Sequence, residues 1–174
     1  MVALESEADA LSRGEVAPDF SLPGTDGETY ELDDFADEDA LLVVFTCNHC
    51  PYAKAKFDLM NELTEAYDEA AIVGINPNDA DEYPDDSFDR MVELVEAGEI
   101  QWDAYLRDES QSVADAYGAV CTPDPFLFAR EDDEWRLVYQ GRLDDALDPD
   151  DEPTRFQIRE ALDAVIAGED GRAP

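Results

Sequence analysis

Short apolar runs alternate with amphipathic stretches along most of the chain. Residues 41–45 and 71–76 are apolar and rich in β-branched and aromatic side chains, which predicts two buried central strands. Apolar positions at helical spacing predict helices over residues 51–67, from a cap at residues 85–87 to Val95, and over residues 153–167. This alternation predicts a mixed sheet with helices on both faces.

Smaller elements complete the order. They are an N-terminal hairpin (residues 17–32), a short strand (102–106), a short helix (110–117) and two further strands (126–129 and 135–139). An acidic turn joins the last two strands, which predicts an antiparallel hairpin. The whole order is typical of an α/β, thioredoxin-like fold with an N-terminal hairpin extension. We expect an acidic lead-in over residues 1–14 and a single domain over residues 15–174.

The charge of the chain is extreme. Its 46 acidic and 11 basic residues give a formal net charge of −35, although 44% of the residues are hydrophobic. The apolar periodicity predicts a folded core beneath an acidic coat, as in cytoplasmic proteins of salt-loving organisms. A field of this sign repels nucleic acids and anionic membranes, so we expect neither as a partner.

The acidic coat predicts a dependence on salt. At about molar salt the Debye length falls to about 3 Å, which screens the self-repulsion of the coat. We therefore expect the fold to loosen at low salt, and a melting temperature independent of salt would contradict this. Residues 1–15 contain no apolar run of the kind found in signal peptides, and no stretch is long enough to span a membrane. These features predict a cytoplasmic location.

The candidate chemistry lies in residues 47–51, directly after the first central strand. Pro51 suits the first position of a helix, so Cys50 is expected at the helix N-cap, where free backbone N–H groups favour a thiolate. Cys47 lies three residues upstream, close enough for a disulfide across the turn. His49, the only histidine of the chain, is placed to donate a hydrogen bond to a thiolate or to shuttle a proton.

The charge pattern changes around this motif. Residues 41–57 contain no acidic side chain, and the only two lysines of the chain, Lys54 and Lys56, follow Cys50 within six residues. Lys54 lies one helical turn from Cys50. A local excess of positive charge is what a thiolate requires, so the pattern favours a reactive cysteine.

A second motif, Cys121-Thr122-Pro123, directly precedes a predicted strand. Proline at such an entry is a candidate for a cis peptide bond. In the predicted topology this loop faces the start of the first helix, which would gather all three cysteines at one site. Three is an odd number, and structural disulfides are rare in the cytosol, so a disulfide scaffold is not expected.

Other interpretations of these residues remain open. Cys47, His49, Cys50 and Cys121 could together bind zinc or copper. His49 could be an ordinary exposed turn residue, and Cys121 could be either a filler of the core or a resolving cysteine. Asn76 and Tyr52 are expected at the rim of the site. Acidic clusters such as residues 144–145 are expected to be solvated surface, and no cofactor is predicted.

Residues 15–144 resemble the redoxin superfamily, and most closely its peroxiredoxin-like proteins of the thiol-specific antioxidant type with a Cys-x-x-Cys-Pro motif. The segments that carry the resemblance are residues 17–20, 44–52, 75–78 and 121–128. The nucleophilic cysteine of thioredoxins follows a strand phenylalanine by five positions, and Cys50 follows Phe45 by five. Peroxiredoxins place their peroxide-attacking cysteine at the same helix start, so the resemblance implies that Cys50 is the nucleophile.

Two departures separate the chain from peroxiredoxins. Their threonine, three residues before the reactive cysteine, is replaced by Cys47, and their arginine has no match near Pro123, with Arg142 the nearest substitute. The resemblance therefore implies a thiol–disulfide oxidoreductase, with a thiol-dependent peroxidase as the alternative. The side chains expected to support the site are Thr46, Pro51, Lys54, Asn76, Thr122, Pro123 and Arg142.

The expected reaction begins with attack of the Cys50 thiolate on a disulfide or a peroxide. Cys47 or Cys121 then resolves the intermediate into an internal disulfide. A thiol reductant, either a thioredoxin or a small-molecule thiol, restores the dithiol. The resemblance leaves a homodimer open.

Overall fold

The computed structural model describes residues 11–119, 123–146 and 148–167. These residues form seven strands and five α-helices. The strands are β1 (Ser21–Pro23), β2 (Thr29–Glu31), β3 (Ala40–Phe45), β4 (Ala70–Asn76), β5 (Ala104–Arg107), β6 (Asp124–Glu131) and β7 (Glu134–Gln140). The helices are α1 (Pro51–Lys54), α2 (Phe57–Ala66), α3 (Phe88–Glu96), α4 (Ser112–Tyr117) and α5 (Gln157–Ile166), and two short 3₁₀ segments cover Leu32–Phe35 and Pro84–Asp86.

The predicted mixed sheet is confirmed. Its strand order is β5-β4-β3-β6-β7, and β1 pairs with β2 in a separate antiparallel hairpin. Strands β3, β4 and β5 run parallel, whereas β6 and β7 are antiparallel to their neighbours. The order and directions are those of the thioredoxin-like fold that the alternation of elements predicts.

Strand β3 lies at the centre of this sheet, and all six of its residues are buried. Side chains of a strand point alternately to the two faces of the sheet. Leu42 and Val44 accordingly pack in a cluster with residues of α2, α3 and α5, while Leu41 and Val43 pack in a second cluster with the hairpin and α4. Because β3 and β4 are parallel, the turn after β3 and the loop after β4 emerge at the same edge of the sheet.

The prediction of one helix over residues 51–67 is wrong in one respect, because the helix is interrupted. Helix α1 ends at Lys54, and Lys56 is the N-cap of α2, with φ −103° and ψ −2°. The Lys56 N–H donates to Ala53 O at 3.0 Å, three residues back rather than four, which tightens the turn. The cysteine motif therefore precedes a helix of only four residues.

The start of the predicted closing helix also differs. Helix α5 begins at Gln157 rather than at residue 153. The Asp145 carboxylate accepts the backbone N–H groups of Thr154 and Arg155 at 2.7 and 3.1 Å, so these donors are used by a loop and not by a helical turn. Among the described residues, no helix has the length and apolar character that crossing a membrane requires.

Candidate active site

The cysteine motif forms the turn between β3 and α1. Cys50 is the N-cap residue of α1 and Pro51 occupies the first helical turn, as the sequence predicts. The Cys50 N–H donates to Cys47 Sγ at 3.3 Å. Cys47 is completely buried, whereas Cys50 is half-buried. The turn thus places a buried sulfur and a more accessible cysteine side by side.

The two lysines of the motif have different surroundings. Lys54 is exposed and forms no ion pair within the described part of the chain, so its predicted contact with Cys50 stays a prediction. Lys56 is half-buried, and its Nζ donates to both oxygens of Asp144 at 2.7 and 2.8 Å. The prediction that residues 144–145 are solvated surface is therefore wrong for Asp144, which is buried because Lys56 neutralises it.

His49 belongs to a cluster that the sequence did not reveal. Its Nδ1 donates a hydrogen bond to Asp86 Oδ2, and its ring stacks on Tyr83 with centroids 4.7 Å apart. Asp86 lies at the end of the 3₁₀ segment Pro84–Asp86 and is completely buried. The loop after β4 thus reaches across the turn after β3 and holds His49 in a defined orientation.

Asp86 is the centre of a buried polar network. Asn76 lies within this network and not at the rim of the site, so that prediction is wrong. Asn76 Nδ2 lies 3.3 Å from both Asp86 Oδ1 and the Tyr105 hydroxyl, and Tyr105 donates to Asn48 Oδ1 at 2.6 Å. Burial raises the pKa of Tyr105 well above its usual value, so its hydroxyl remains a donor. Asn76 is the polar residue that ends the otherwise apolar strand β4. Its place in the sequence was the only signal for the network.

A metal centre was one interpretation of the motif, and the structure alters its donor set. Cys47, His49 and Asp86 each place one potential ligand atom within 4.8 Å of the others. Among the described residues this group does not include Cys50. Each oxygen of Asp86 already accepts two hydrogen bonds, one of them from His49. An ion would have to displace these donors, so the geometry favours a hydrogen-bonded cluster.

A cavity of about 520 Å³ opens on the other side of the motif. Tyr52, which is half exposed, lines it together with Pro123, the residue directly before β6. The predicted position of the rest of the loop before β6 lies outside the described residues. Arg142 also lines the cavity, but its guanidinium donates to Ala146 O at 2.7 Å. Cys121 and Thr122 lie outside the described residues.

Thr46 is buried directly before Cys47. Its N–H donates to Ile75 O at 2.8 Å, which continues the pairing of β3 with β4. Its hydroxyl has no hydrogen-bond partner among the described residues. Thr46 therefore lies beneath the motif, and its supporting role stays a prediction.

Solved structures with this architecture include two of closely similar length. A hypothetical protein from Sinorhizobium meliloti 1021 is 38% identical, with a TM-score of 0.86, and the match covers 95% of this chain and 89% of that one. An uncharacterized conserved protein from Geobacillus kaustophilus is 37% identical, with the same TM-score of 0.86 and coverages of 100% and 90%.

A more distant neighbour has a named activity. It is the thioredoxin domain of a thiol-disulfide oxidoreductase from Bacteroides vulgatus, 20% identical, with a TM-score of 0.62 and coverages of 76% and 90%. At this identity the likeness concerns the fold alone. No curated protein matches the chain significantly.

The sequence itself matches a known family over most of its length. Residues 13–136 match the AhpC/TSA family, and this range includes the cysteine motif, the loop after β4 and the entry to β6. The match and the thioredoxin-like architecture confirm the redoxin resemblance and support a redox function. The chain belongs to the AhpC/TSA family.

Proposed function

We propose that this protein is a thiol–disulfide oxidoreductase in which Cys50 attacks the substrate and Cys47 resolves the intermediate. The observation that carries the proposal is the hydrogen bond from the Cys50 N–H to Cys47 Sγ at 3.3 Å. It holds the buried sulfur against the backbone of the more accessible cysteine. A resolving thiol needs this proximity, because it must reach the sulfur of Cys50 before solvent thiols do.

The proposed cycle conserves electrons through thiols alone. The Cys50 thiolate attacks a substrate disulfide, forms a mixed disulfide and releases one substrate thiolate. Cys47 then attacks Cys50 Sγ, which releases the second substrate thiol and leaves a Cys47–Cys50 disulfide. A cytoplasmic thiol reductant, either a thioredoxin or a small-molecule thiol, reduces this bond.

Two features argue against a fast peroxidase as the main function. The residue three positions before Cys50 is Cys47, so a thiol stands where peroxiredoxins carry a hydroxyl. Arg142 donates to a carbonyl of its own loop, which reduces its capacity to orient a peroxide. Peroxide reduction is therefore the competing outcome of the test below.

The test is stopped-flow oxidation of the fully reduced protein in high salt, with hydrogen peroxide and with a model disulfide. Disulfide mapping by mass spectrometry follows each reaction. We expect rapid exchange with the disulfide, slow reaction with peroxide and a Cys47–Cys50 product. A Cys50–Cys121 product would make Cys121 the resolving residue, and fast peroxide oxidation at Cys50 would make the protein a peroxidase.

A further inference from the structure

Asp86 is a buried carboxylate whose capacity to accept hydrogen bonds is filled. Oδ1 accepts from Asn48 N at 2.5 Å and from Asn76 Nδ2 at 3.3 Å. Oδ2 accepts from Asn78 Nδ2 at 2.8 Å and from His49 Nδ1. With four donors around two oxygens, Asp86 holds its partners in place and has no free lone pair for the proton of a neighbouring thiol.

This arrangement fixes the hydrogen positions on His49. A carboxylate can only accept, so Nδ1 carries the hydrogen of the His49–Asp86 bond, and in the neutral imidazole Nε2 has a lone pair. The stacked Tyr83 ring, inclined by 12°, fixes the plane of the imidazole. The His49 side chain is 31% exposed, so a proton taken up by Nε2 can leave toward solvent or substrate.

The sulfur nearest to this pair is that of the buried cysteine. A ring nitrogen of His49 and a carboxylate oxygen of Asp86 both lie within 4.8 Å of Cys47 Sγ. One bridging water molecule spans such a distance without any change in the orientation of the ring. The His49–Asp86 pair therefore lies beside Cys47, which must lose its proton before it can attack.

We propose that Asp86 is a positioning residue that holds His49 as the proton acceptor for Cys47. This inference rests on the proposed function and concerns its second step. In the mixed disulfide between Cys50 and the substrate, Cys47 gives its proton through a bridging water molecule to His49 Nε2, and its sulfur attacks Cys50 Sγ. The Cys47–Cys50 bond forms, the Cys50–substrate bond breaks, and the departing substrate sulfur takes the proton from His49. The dithiol is oxidised by two electrons and the substrate disulfide is reduced by two.

The first part of the test is spectroscopic, because His49 is the only histidine of the chain. In protein with ¹⁵N-labelled histidine, we expect a single imidazole in the Nδ1–H form. Asp86→Asn should alter the nitrogen shifts of this ring. Asp85→Asn is the matched control, since Asn48 Nδ2 donates to the main-chain carbonyl of Asp85, which the substitution retains.

The second part is kinetic and follows a peptide disulfide by rapid acid quench. In Asp86→Asn and His49→Gln we expect the mixed disulfide on Cys50 to form at the wild-type rate and to resolve at least tenfold more slowly. Added imidazole should restore resolution in His49→Ala, an effect that a merely structural role for the ring would not produce. Asp85→Asn should resolve like the wild type.

The outcomes separate the two proposals. If the wild type never forms a mixed disulfide at Cys50, the proposed function fails whatever Asp86 does. If the mixed disulfide forms and then resolves at the wild-type rate in His49→Gln, the relay is overturned. His49→Gln leaves Asp86 in place, so this result decides the matter even if Asp86→Asn does not fold.

Discussion

Cys47 and Cys50 lie side by side in one turn, but their surroundings differ. Cys47 is fully buried beside His49 and the polar network of Asp86, within 4.8 Å of both. Cys50 is half-buried, and the residue two positions after it, Tyr52, lines an open cavity. Only two residues thus separate a buried sulfur beside His49 from the cysteine that is more accessible to solvent. This difference in surroundings is the reason that the proposed function gives the two cysteines different steps.

The largest effect should come from replacing each cysteine in turn. Cys50→Ser should lower the rate of reaction with a model disulfide by at least about 10³-fold, because the nucleophile is lost. Cys47→Ser should keep the first step and accumulate a mixed disulfide, visible as a mass adduct on Cys50. An adduct that forms in Cys50→Ser but not in Cys47→Ser would reverse the assignment.

The buried polar network around Asp86 should contribute more to the free energy of unfolding than the exposed residues beside it. Asp86→Ala removes an acceptor shared by four donors, and we expect the free energy of unfolding to fall by about 3 kcal/mol. Asp85→Ala, on the exposed neighbour, should change it by no more than about 0.5 kcal/mol. Urea unfolding of both variants in high salt measures the difference, and equal values would show that the network contributes little.

The rate at which the more accessible cysteine, Cys50, reacts with a disulfide should depend on the charge of the whole molecule. With a net charge of −35, the reduced protein should react faster with a cationic disulfide such as cystamine than with an anionic aromatic disulfide. The ratio of the two rates should fall about tenfold between low and molar salt, as screening removes the field. A neutral disulfide provides the baseline, and a ratio independent of salt would mean that the lysines of the motif cancel the coat locally.

The smallest effect should follow from truncating Tyr52, which lines the cavity. Tyr52 is 50% exposed, so Tyr52→Ala should change the free energy of unfolding by less than about 0.5 kcal/mol. It should raise KM for a peptide disulfide with apolar flanking residues severalfold and leave kcat unchanged. Tyr52→Phe keeps the ring and should behave like the wild type. A loss of kcat in Tyr52→Ala would place this side chain in the chemistry and not in binding.

The sequence allowed the accessible side of the site to be predicted because its signals are local. Pro51 marks the helix start, and Cys50 must then be the cap. The strands and their order followed from apolar runs separated by polar turns. The interruption between α1 and α2 was not predictable, because Ala55 and Lys56 are both compatible with a continuous helix.

The buried side could not be predicted because its signals come from tertiary contacts. Asp86 lies in a loop that also contains Asp79, Asp81 and Asp85, and nothing in the local sequence distinguishes it from them. Only the packing of this loop over the turn after β3 buries one carboxylate and leaves the others exposed. Asp144 was missed for the same reason, since Lys56, its partner, is 88 residues away.

At the tip of the β6–β7 hairpin, the backbone conformation constrains which acidic residue each position can carry. Its two central residues, Asp132 and Asp133, have φ values of 53° and 63°, those of a type I′ turn, and the flanking pair is Glu131 and Glu134. Aspartate tolerates left-handed backbone better than glutamate does, whereas glutamate is less strongly depleted in strands than aspartate. The two acidic amino acids are therefore not interchangeable at this tip, because the backbone conformation of each position favours one of them. A redesign that exchanged aspartate and glutamate would keep the charge but destabilise the turn.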